Sequence, residues 1–435
     1  MKKSANKILE KLREAGFKAY FAGGCVRDMV MGKIPKDYDI ASSAKPEEVK
    51  KLFKRTIDIG AKFGVTIIPF NKNQIEVATF RADGPYLDGR RPSKVIYTDE
   101  KEDVLRRDFT INGLLYDPVN DKIIDYVNGV KDIKAKIVRC IGDPYKRFEE
   151  DKLRMIRAVR FAADLDFKLE RDTEEAIRSM VYDIKQISSE RIRDELNRIL
   201  LGSSPHTGIR KLHEIGLLME ILPEVAEMDG VPQPEKFHPE GDVFVHTLMM
   251  LELMKSPTLT LAYGVLLHDI GKPETIEFKD RIRFNNHDKV GALISEEICK
   301  RLRLSNSDKK KIVELVKNHQ RFMHVRRMKQ STLKRFLSMD NFLEHLELHR
   351  LDCMASHEKL ENYQFLENLI ENLPPEEMKP EPLITGHDLI KLGYLPGPGF
   401  TEILNFIEEE QLEGKVLTKE NAIKLIINKF RKRQL

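Results

Sequence analysis

The stretch FAGGCVRDMVMGKIPKDYDIA, Phe21 to Ala41, decides the fold at the start of this chain. A short apolar run that ends at Ala22 predicts a strand, and the residues from Val26 to Met31 predict the first turns of a helix. The Gly-Gly pair therefore lies at a strand-to-helix turn, where bare backbone can approach a phosphate and helix N–H groups point outward. This turn is a candidate phosphate-binding site.

Asp37 and Asp39 are the second chemical feature of the stretch. Because they are two residues apart in an extended segment, their side chains should project from one face. Two carboxylates so placed can share one Mg²⁺ or bridge two, as metal-assisted nucleotidyl transfer requires. An isolated Asp-x-Asp is more often a solvated loop. Here the nearby glycine turn and Arg27, a candidate for binding a triphosphate, favour a catalytic site.

These motifs together carry a family resemblance. GGCVRD followed by DYDI resembles the signature of the nucleotidyltransferase family that includes bacterial CCA-adding enzymes and poly(A) polymerases. The resemblance implies that Asp37 and Asp39 are catalytic metal ligands. It also implies that Gly24 and Arg27 contact the triphosphate. The family carries a further acidic residue on a neighbouring strand, for which Glu76 in QIEVATFR is the candidate; the alternative is a strand carboxylate that faces water.

Composition limits the class of protein. The chain has 435 residues, of which 41% are hydrophobic and 33% charged, and its net charge is +4. That length predicts two to four domains, and no apolar run approaches membrane-spanning length. The N-terminal MKKSANKILEKLREAG lacks the apolar centre of a signal peptide. The four cysteines form no C-x-x-C pair, which favours a reducing cytoplasm over a disulfide framework.

The hydrophobic pattern changes character near residue 140. Before that point helices alternate with β-rich runs at Val65 to Phe70, Gln74 to Phe80, Lys94 to Tyr97 and Lys122 to Asp125. From Arg147 onward helical periodicity prevails. We predict an α+β fold, with a nucleotidyltransferase-type mixed β-sheet head followed by a long all-helical neck, body and tail. The predicted domains are a catalytic head at 1–140, a neck with a nucleotide-selecting motif at 141–205, a body at 206–335 and a tRNA-binding tail at 336–435.

Two further head segments bear on nucleotide binding. RRDFTINGLLYD, Arg106 to Asp117, is similar to the family motif RRDFT(I/M)N, so Arg107 and Asp108 are expected near the phosphates and the sugar. Without the resemblance, this pattern of residues is weak evidence for nucleotide binding, because surface Arg-Asp clusters are common. The glycine- and proline-rich stretch from Arg81 to Val95 predicts a mobile loop. In CCA-adding enzymes a flexible loop at this place affects the switch from C to A addition.

An amphipathic helix is predicted over Glu149 to Leu165. Its predicted buried stripe consists of Leu153, Ile156, Val159 and Ala163. Polar side chains recur every three residues on the other side; they are Asp151, Arg154, Arg157 and Arg160. One interpretation of this spacing is a set of ion pairs with solvated arginines.

The other interpretation is base selection. Cytosine and adenine present an amine donor beside a ring-nitrogen acceptor, whereas uracil and guanine present a carbonyl beside a ring N–H. A carboxylate one helical turn from a guanidinium matches the first pair and clashes with the second, so Asp151 and Arg154 would accept C and A. E-D-x-x-R, Glu150 to Arg154, is similar to the nucleotide-selecting motif of bacterial CCA-adding enzymes. That resemblance also makes Arg157 and Arg160 nucleotide ligands.

A second constellation lies in the predicted body. Histidines and carboxylates are distributed over successive predicted helices, a pattern typical of a metal bound in a helical core. HDIGKP, which begins at His268, resembles the HD phosphohydrolase motif. The resemblance implies a candidate divalent-metal site with the ligands His246, His268, Asp269 and Asp352. Two further residues are candidates for a second ion or a substrate phosphate, namely His287 and His319.

The role of this HD domain has two interpretations. In some CCA-adding enzymes a fused HD domain carries phosphatase and 2′,3′-cyclic phosphodiesterase activity. The alternative is a purely structural helical domain. Basic clusters at Lys309 to Lys311, Arg321 to Arg327 and Lys429 to Arg433 are either solvated helix faces or a track for an RNA backbone. Pro382 to Phe400 resembles the tail segment of the family.

Along the chain the motifs follow the order of the family. They predict a cytoplasmic tRNA nucleotidyltransferase that uses Mg²⁺ to add C, C and A to the tRNA 3′ end from CTP and ATP, without a nucleic-acid template or a membrane. The helical part would hold the acceptor arm. Poly(A) polymerases and enzymes that add only CC or only A share nearly all these motifs and are the alternatives. A remote alternative is an HD-type RNA phosphohydrolase with a degenerate head, against which the intact Asp37 and Asp39 argue.

Overall fold

The computed structural model describes residues 1–60, 64–70, 73–84, 95–234 and 238–430 of the chain. Most of the predicted loop from Arg81 to Val95, and the end of the C-terminal basic cluster, lie outside the described residues. The chain divides into two compact units, Met1–Glu227 with Ile298–Leu304, and Met228–Glu297 with Ser305–Leu435. Among the described residues, no helix is long and apolar enough to cross a membrane.

The first unit opens with alternating helices and strands. They are α1 (Lys2–Glu14), β1 (Ala19–Ala22), α2 (Gly24–Val30), β2 (Asp39–Ser42), α3 (Pro46–Leu52), β3 (Ile57–Gly60), β4 (Val65–Phe70), β5 (Asn73–Thr79), β6 (Arg81–Asp83), β7 (Val95–Tyr97), α4 (Glu100–Leu105), β8 (Leu114–Asp117), β9 (Lys122–Asp125) and α5 (Gly129–Ala135). A 3₁₀ turn, Thr110–Asn112, precedes β8.

Seven of these strands form one mixed sheet in the order β3-β4-β5-β2-β1-β8-β9. β2 and β5 are parallel, with Ile40 opposite Val77, whereas β1 is antiparallel to both of its neighbours. A buried apolar cluster joins the sheet to α4; it consists of Ala22, Ala41, Phe80, Val104 and Leu115. The mixed sheet predicted for the head is confirmed, and it places the ends of β1, β2 and β5 side by side.

The rest of the first unit is mainly helical. It contains β10 (Ile137–Val138), α6 (Pro144–Glu150), α7 (Leu153–Leu165), β11 (Lys168–Leu169), α8 (Arg171–Ser179), a 3₁₀ helix (Val181–Gln186), α9 (Ser189–Leu200), α10 (Pro205–Ile215), α11 (Leu217–Ile221) and α12 (Pro223–Ala226). β10 and β11 form a short parallel pair that the sequence analysis did not predict.

The helix predicted over Glu149 to Leu165 is interrupted. α6 ends at Glu150 and α7 begins at Leu153, because Asp151 has an extended backbone with φ −151° and ψ 103°. Its Oδ1 accepts a hydrogen bond from the N–H of Leu153 at 3.1 Å, so this carboxylate satisfies a donor at the start of α7. The predicted apolar stripe of the helix is buried as expected.

The second unit is built from helices and one β-hairpin. Its elements are α13 (Val243–Leu253), α14 (Leu259–Leu267), α15 (Lys272–Thr275), β12 (Ile276–Phe278), β13 (Ile282–Phe284), α16 (His287–Arg301), α17 (Asn306–Asn318), a 3₁₀ helix (His319–Arg327), α18 (Gln330–Leu337), α19 (Phe342–Ala355), α20 (Glu361–Asn372), α21 (Pro375–Met378), α22 (Gly386–Lys391), α23 (Pro398–Leu412) and α24 (Lys419–Lys429). From Ile298 onward, α16 belongs to the first unit.

Two separate apolar clusters contribute to the core in the described part of this second unit. One surrounds Phe322, Phe336 and Phe342, and the other surrounds Leu389 and Ile403 near the C-terminus. The predicted α+β fold with a helical remainder is confirmed, and the β12–β13 hairpin is an addition to it.

Candidate functional site

The predicted glycine turn lies between β1 and α2. Gly23 has φ 73° and ψ −131°, a backbone conformation that residues with a side chain rarely adopt. A Cβ atom at this position would lie 3.1 Å from Nη1 of Arg107. Gly24 begins α2 and lines a cavity of about 770 Å³. Arg27, one turn later, lines the same cavity and donates from Nη1 to Oδ1 of Asn112 at 2.9 Å.

Three predicted metal ligands, Asp37, Asp39 and Glu76, share the wall of this cavity. Asp37 precedes β2, and Asp39 is its first residue. The parallel pairing of Ile40 with Val77 places Asp39 and Glu76 at matching positions of adjacent strands. Partial removal from bulk water and the neighbouring Glu76 carboxylate raise the pKa of Asp39 to about 6. Carboxylates that repel one another in this way suit a divalent cation.

The predicted nucleotide ligands line the same cavity. They are Gly24, Arg27, Arg107, Asp108, Asp151, Arg154, Arg157 and Arg160. The fold thus brings residues of the head and of α7, which are far apart in sequence, to one place. Every residue predicted for the site in the first unit is found there.

The charged groups of the wall are held by specific partners. Arg157 donates from Nη2 to Oδ2 of Asp108 at 2.6 Å. Burial alone would raise the pKa of Asp108, but this guanidinium lowers it below the usual range. Arg107 pairs at 3.0 Å with Asp103, whose side chain is only 1% exposed. The arginines that line the cavity are therefore held in place by neighbouring carboxylates.

The predicted base-reading pair is also hydrogen-bonded within the protein. Asp151 accepts from Nη2 of Arg191 at 2.7 Å. Arg154 donates from Nη1 to Glu150 at 2.6 Å and to the carbonyl oxygen of Arg147 at 2.9 Å. Because only 8% of Arg154 is exposed, the interpretation of solvated arginines is wrong for this residue. Local acceptors make the burial of its charge tolerable.

Three side chains of helix α9 contact each other or residues of the site, and the sequence analysis did not identify them. They are Arg191, Glu195 and Arg198, at a spacing that places them on one helical face. Glu195 accepts from Arg160 at 2.7 Å and from Arg198 at 2.8 Å, and it lies 3.3 Å from Nη1 of Arg157. Their helical spacing was visible in the sequence. Their partners, Asp151 and the arginines of α7, could not be identified because they are distant in sequence.

Three histidines of the second unit point the same ring nitrogen into a common space. In His268, His287 and His319, Nδ1 lies 2.9, 2.8 and 2.6 Å from the backbone carbonyl oxygen three residues earlier. A donating Nδ1 leaves Nε2 unprotonated in the neutral ring. The Nε2 atoms of His287 and His319 are 3.1 Å apart, where two lone pairs repel each other unless a cation or a proton separates them.

Among the described residues, carboxylates complete three groups with metal-ligand spacing. One of them, His238, Glu240 and His246, was not predicted. The other two are His246, His268 and Asp352, and Asp269, His287 and His319. Asp269 links them, because its Oδ2 lies 3.0 Å from Nε2 of His268 and its Oδ1 lies 3.4 Å from Nε2 of His287. All six residues predicted for this second site are thus close together.

His246 lies between two carboxylates, one of which the sequence analysis missed. Its Nε2 is 3.1 Å from Oδ1 of Asp352, and its Nδ1 is 2.7 Å from Oε1 of Glu240. Burial alone would lower the pKa of His246, but these acids raise it to about 9. Burial lowers the pKa of His319 to about 4, which keeps that ring neutral, as a metal ligand requires. Lys272, 2.6 Å from Asp269, was also missed.

Comparison with known proteins first defines a class. The protein-family model described as "Poly A polymerase head domain" matches residues 19–139. A second family model, "Probable RNA and SrmB- binding site of polymerase A", matches residues 166–229. A model for tRNA nucleotidyltransferase domain 2 matches residues 290–426. A mixed-sheet head with a glycine turn and clustered carboxylates, followed by these helical segments, is the architecture of a nucleotidyltransferase.

Individual relatives narrow the class. A CCA-adding enzyme of Ligilactobacillus salivarius is 48% identical over 210 residues, so the match spans 48% of this chain and about half, 52%, of that relative. A CCA-adding enzyme of Enterococcus faecalis is 31% identical over 97% of this chain and 94% of its own length. The chain belongs to the family of CCA-adding enzymes. A crystal structure of the Bacillus stearothermophilus CCA-adding enzyme with CTP is 26% identical, with a TM-score of 0.75 over 98% of this chain and 97% of that one.

Proposed function

We propose that this protein adds C, C and A to the 3′ end of tRNA from CTP and ATP without a nucleic-acid template. The observation that carries the proposal is one cavity lined by the carboxylate cluster, the glycine turn and the pair Asp151 and Arg154. Relatives named CCA-adding enzymes, and a similar structure determined with CTP, support it.

Asp37, Asp39 and Glu76 would hold Mg²⁺. Their oxygen atoms are the ligands that Mg²⁺ prefers, and the raised pKa of Asp39 reflects carboxylates that gain from a nearby cation. When bound, Mg²⁺ makes the primer 3′-hydroxyl more acidic and offsets the charge of the α-phosphate. Ionised carboxylates are needed for this binding, so protons and Mg²⁺ compete for the cluster.

The groups of the chain itself bind and orient the nucleotide. The backbone at Gly24 and the guanidinium groups of Arg27 and Arg107 contact the triphosphate. Asp108, which Arg157 keeps ionised, accepts hydrogen bonds from the ribose hydroxyls. Holding the triphosphate and the primer hydroxyl in one fixed geometry is the main contribution that protein groups make to phosphoryl transfer.

Asp151 and Arg154 would select the base. The carboxylate accepts from the exocyclic amine of C or A, and the guanidinium donates to the adjacent ring nitrogen. Uracil and guanine would place a carbonyl oxygen against Asp151, which leaves buried groups unpaired. Sites built on such hydrogen bonds discriminate in kcat/KM against a substrate that cannot form them by factors on the order of 10⁴. Arg157 and Arg160 lie one and two turns further along α7 and contact the nucleotide.

The test uses tRNAs that end before C74, after C74 and after C75, each incubated with CTP alone or ATP alone. We expect C on the first two and A on the third. Failure to add C to the shortest tRNA would leave an A-adding enzyme or poly(A) polymerase, and failure to add A to the longest would leave a CC-adding enzyme. Asp39→Ala should abolish addition, whereas Asp172→Ala, an exposed acid on α8, should not.

The second unit favours a second function, metal-dependent hydrolysis of phosphate esters. The observation is the convergence of three Nε2 atoms on Asp269 and Asp352, with each Nδ1 committed to a backbone carbonyl. One or two divalent ions would be held by His246, His268, Asp269 and Asp352, with His287 and His319. When bound, such an ion polarises a phosphoryl oxygen and makes its own water more acidic.

Hydrolysis of a 2′,3′-cyclic nucleoside monophosphate tests this second function. The wild type should open the ring, His268→Ala should lose the activity, and Asp39→Ala should retain it. Equal rates for the wild type and His268→Ala would show that the helical core is purely structural.

The remaining parts of the chain complete the proposal. We assign a catalytic head to 1–140, a base-selecting neck to 141–205, a body to 206–335 and a tail to 336–435, with the acceptor arm of tRNA bound by the helical parts. We also propose a cytoplasmic location, because all four cysteines are free thiols buried in the protein, as a reducing compartment permits.

A further inference from the structure

The β12–β13 hairpin contributes to the wall of the cavity at the histidine cluster of the second unit. Among the described residues, this cavity is lined by the proposed metal ligands Asp269, His287, His319 and Asp352, and also by residues 281–284 of the hairpin. Its volume is about 590 Å³. Cavities of this size hold a small organic molecule. The second site therefore has room for more than the phosphate group that a metal ion would bind.

Phe284, the last residue of β13, is tied to the cluster through its backbone and its ring. Its carbonyl oxygen lies 2.8 Å from Nδ1 of His287. The Nζ atom of Lys272 lies 5.2 Å from the centroid of the Phe284 ring and 2.6 Å from Oδ2 of Asp269. These contacts hold an aromatic ring beside the proposed ligands, at a separation that the ribose of a nucleotide can span.

We propose that Phe284 forms a base-binding subsite, so that the substrate of the second site is a ribonucleoside phosphate and not a simple phosphate ester. The inference rests on the metal-dependent hydrolysis proposed above. Every nucleobase has a flat π-face that stacks on an aromatic side chain. Met323, which is 58% exposed and lines the same cavity, offers a second apolar surface to the base.

The charges of the cavity wall fit an anionic nucleotide. Lys272, Arg281 and Arg283 line the cavity together with Phe284. Nη2 of Arg283 donates to both carboxylate oxygens of Asp280, at 2.6 and 2.9 Å. The buried Nε of Arg283 has no hydrogen-bond partner among the described residues. Cationic groups beside an aromatic ring bind the phosphate and the base of one nucleotide together.

Stacking contributes affinity without choosing a base, whereas paired hydrogen bonds, as proposed for Asp151 and Arg154, select it. We therefore expect the second site to hydrolyse 2′,3′-cyclic AMP and 2′,3′-cyclic CMP with kcat/KM values within about tenfold of each other. The 1,2-cyclic phosphate of glycerol has the same reactive group but no base. Its kcat/KM should be lower than that of 2′,3′-cyclic AMP by roughly tenfold or more.

The experiment measures kcat and KM for 2′,3′-cyclic AMP and for the glycerol ester, with Mn²⁺ present. Phe284→Ala should raise the KM for 2′,3′-cyclic AMP roughly tenfold and change kcat less than about twofold, because stacking binds the ground state and the transition state alike. Phe284→Tyr should retain the KM of the wild type, and neither variant should alter hydrolysis of the glycerol ester.

The matched control is Phe278→Ala, in the other strand of the same hairpin. Phe278 is 71% exposed and is not among the described residues that line the cavity. This variant should behave as the wild type does with both esters. Should Phe284→Ala fail to fold, Phe284→Leu removes the aromatic face and keeps an apolar side chain, so it carries the same comparison.

Two results would overturn the subsite. One is an equal loss with both esters in Phe284→Ala, which indicates that the ring only supports the fold around His287. The other is an unchanged KM for 2′,3′-cyclic AMP. A wild type that hydrolyses neither ester rejects the proposed hydrolysis instead. Calorimetric binding of adenosine 2′-phosphate then tests the subsite: weaker binding by Phe284→Ala supports it, and equal binding by both proteins rejects it.

Discussion

The carboxylate of Glu195 accepts hydrogen bonds from arginines of two helices, α7 and α9. Its side chain is 3% exposed, and all three guanidinium groups that it contacts line the cavity of the first unit; they belong to Arg157, Arg160 and Arg198. Removing one partner of a buried charged network is costly because the other charges remain buried. Glu195 therefore sets the position of several proposed nucleotide ligands, although it does not itself line the cavity.

Glu195→Gln should lower the free energy of unfolding by about 3 kcal/mol. It should also raise the KM for CTP and ATP together by about tenfold, because it loosens arginines that are proposed to bind both nucleotides. Chemical denaturation and initial-rate kinetics measure the two effects. Glu190→Gln, an exposed acid on the same helix paired with Arg303, is the control and should change neither. A Glu195→Gln enzyme with unchanged KM values would contradict this account.

His345 gives the second unit a predictable dependence on pH. The ring is buried in α19, burial lowers its pKa to about 4, and Nδ1 has no hydrogen-bond partner among the described residues. Glu344 opposes this shift and Arg321 adds to it. The folded state thus binds a proton less readily than the unfolded state, whose histidine has a pKa of about 6.5.

Stability should therefore be complete above about pH 6.5 and fall by roughly 2–3 kcal/mol as the pH drops to about 4. His345→Leu should reduce this loss, because no proton can then be taken up on unfolding. His324→Leu, which removes an exposed histidine, should leave it unchanged. Urea unfolding at a series of pH values distinguishes them; an unaltered pH profile in His345→Leu would refute the assignment.

The turn between β1 and α2 shows how one element sets up the site. Gly23 combines a positive φ of 73° with a close approach to Arg107. Gly23→Ala should destabilise the protein by about 1–2 kcal/mol and lower kcat/KM at least about tenfold, since the new methyl group displaces that arginine.

Gly16→Ala separates backbone strain from the effect on the site. Gly16 also has a positive φ, 87°, but an added Cβ would meet nothing within 4 Å. We expect a similar loss of stability with unchanged kcat/KM. Thermal unfolding and kinetics of the two variants measure this, and equal activity of both would argue against a role of the turn in catalysis.

The bounds of an element could be predicted from the sequence where the local composition alone determines its secondary structure. The strands Val65–Phe70 and Lys122–Asp125 have the predicted bounds, because both short runs are rich in β-branched residues, which favour extended backbone. The helix over Glu149 to Leu165 was predicted as continuous, because its periodicity carries no sign that Asp151 leaves the helix. At that break Asp151 accepts a hydrogen bond from Arg191, 40 positions away in sequence, and such a distant partner leaves no sign in the periodicity.

The same distinction holds for the sites. Motifs placed Asp37, Asp39 and His268, since these residues sit in recognisable strings. Residues that hold other site residues in place were missed, such as Glu195, which accepts from Arg160, and Glu240, which pairs with His246. Their roles depend on partners brought close by packing, and an acid on a helix otherwise predicts only solvent.

The chain as a whole combines two compact units, and a metal site is proposed in each of them. In the second unit a divalent ion would relieve the repulsion between His287 and His319. An ion that binds only the folded state at about a hundred times its dissociation constant should stabilise it by about 2.7 kcal/mol. Calorimetric unfolding with Mn²⁺ should show an upward shift of the transition in the wild type that His268→Ala abolishes. An identical shift in both proteins would place the ion elsewhere.

The most direct test of template-free CCA addition is the 3′-end sequence made on a tRNA that lacks its last three nucleotides, with all four nucleoside triphosphates present. We predict that the products end in CCA and that growth stops after three additions. The role proposed for Asp151 and Arg154 is to exclude U and G, so neither base should appear. A homopolymeric A tail, the absence of C, or incorporation of U and G at rates comparable to C and A would contradict the account.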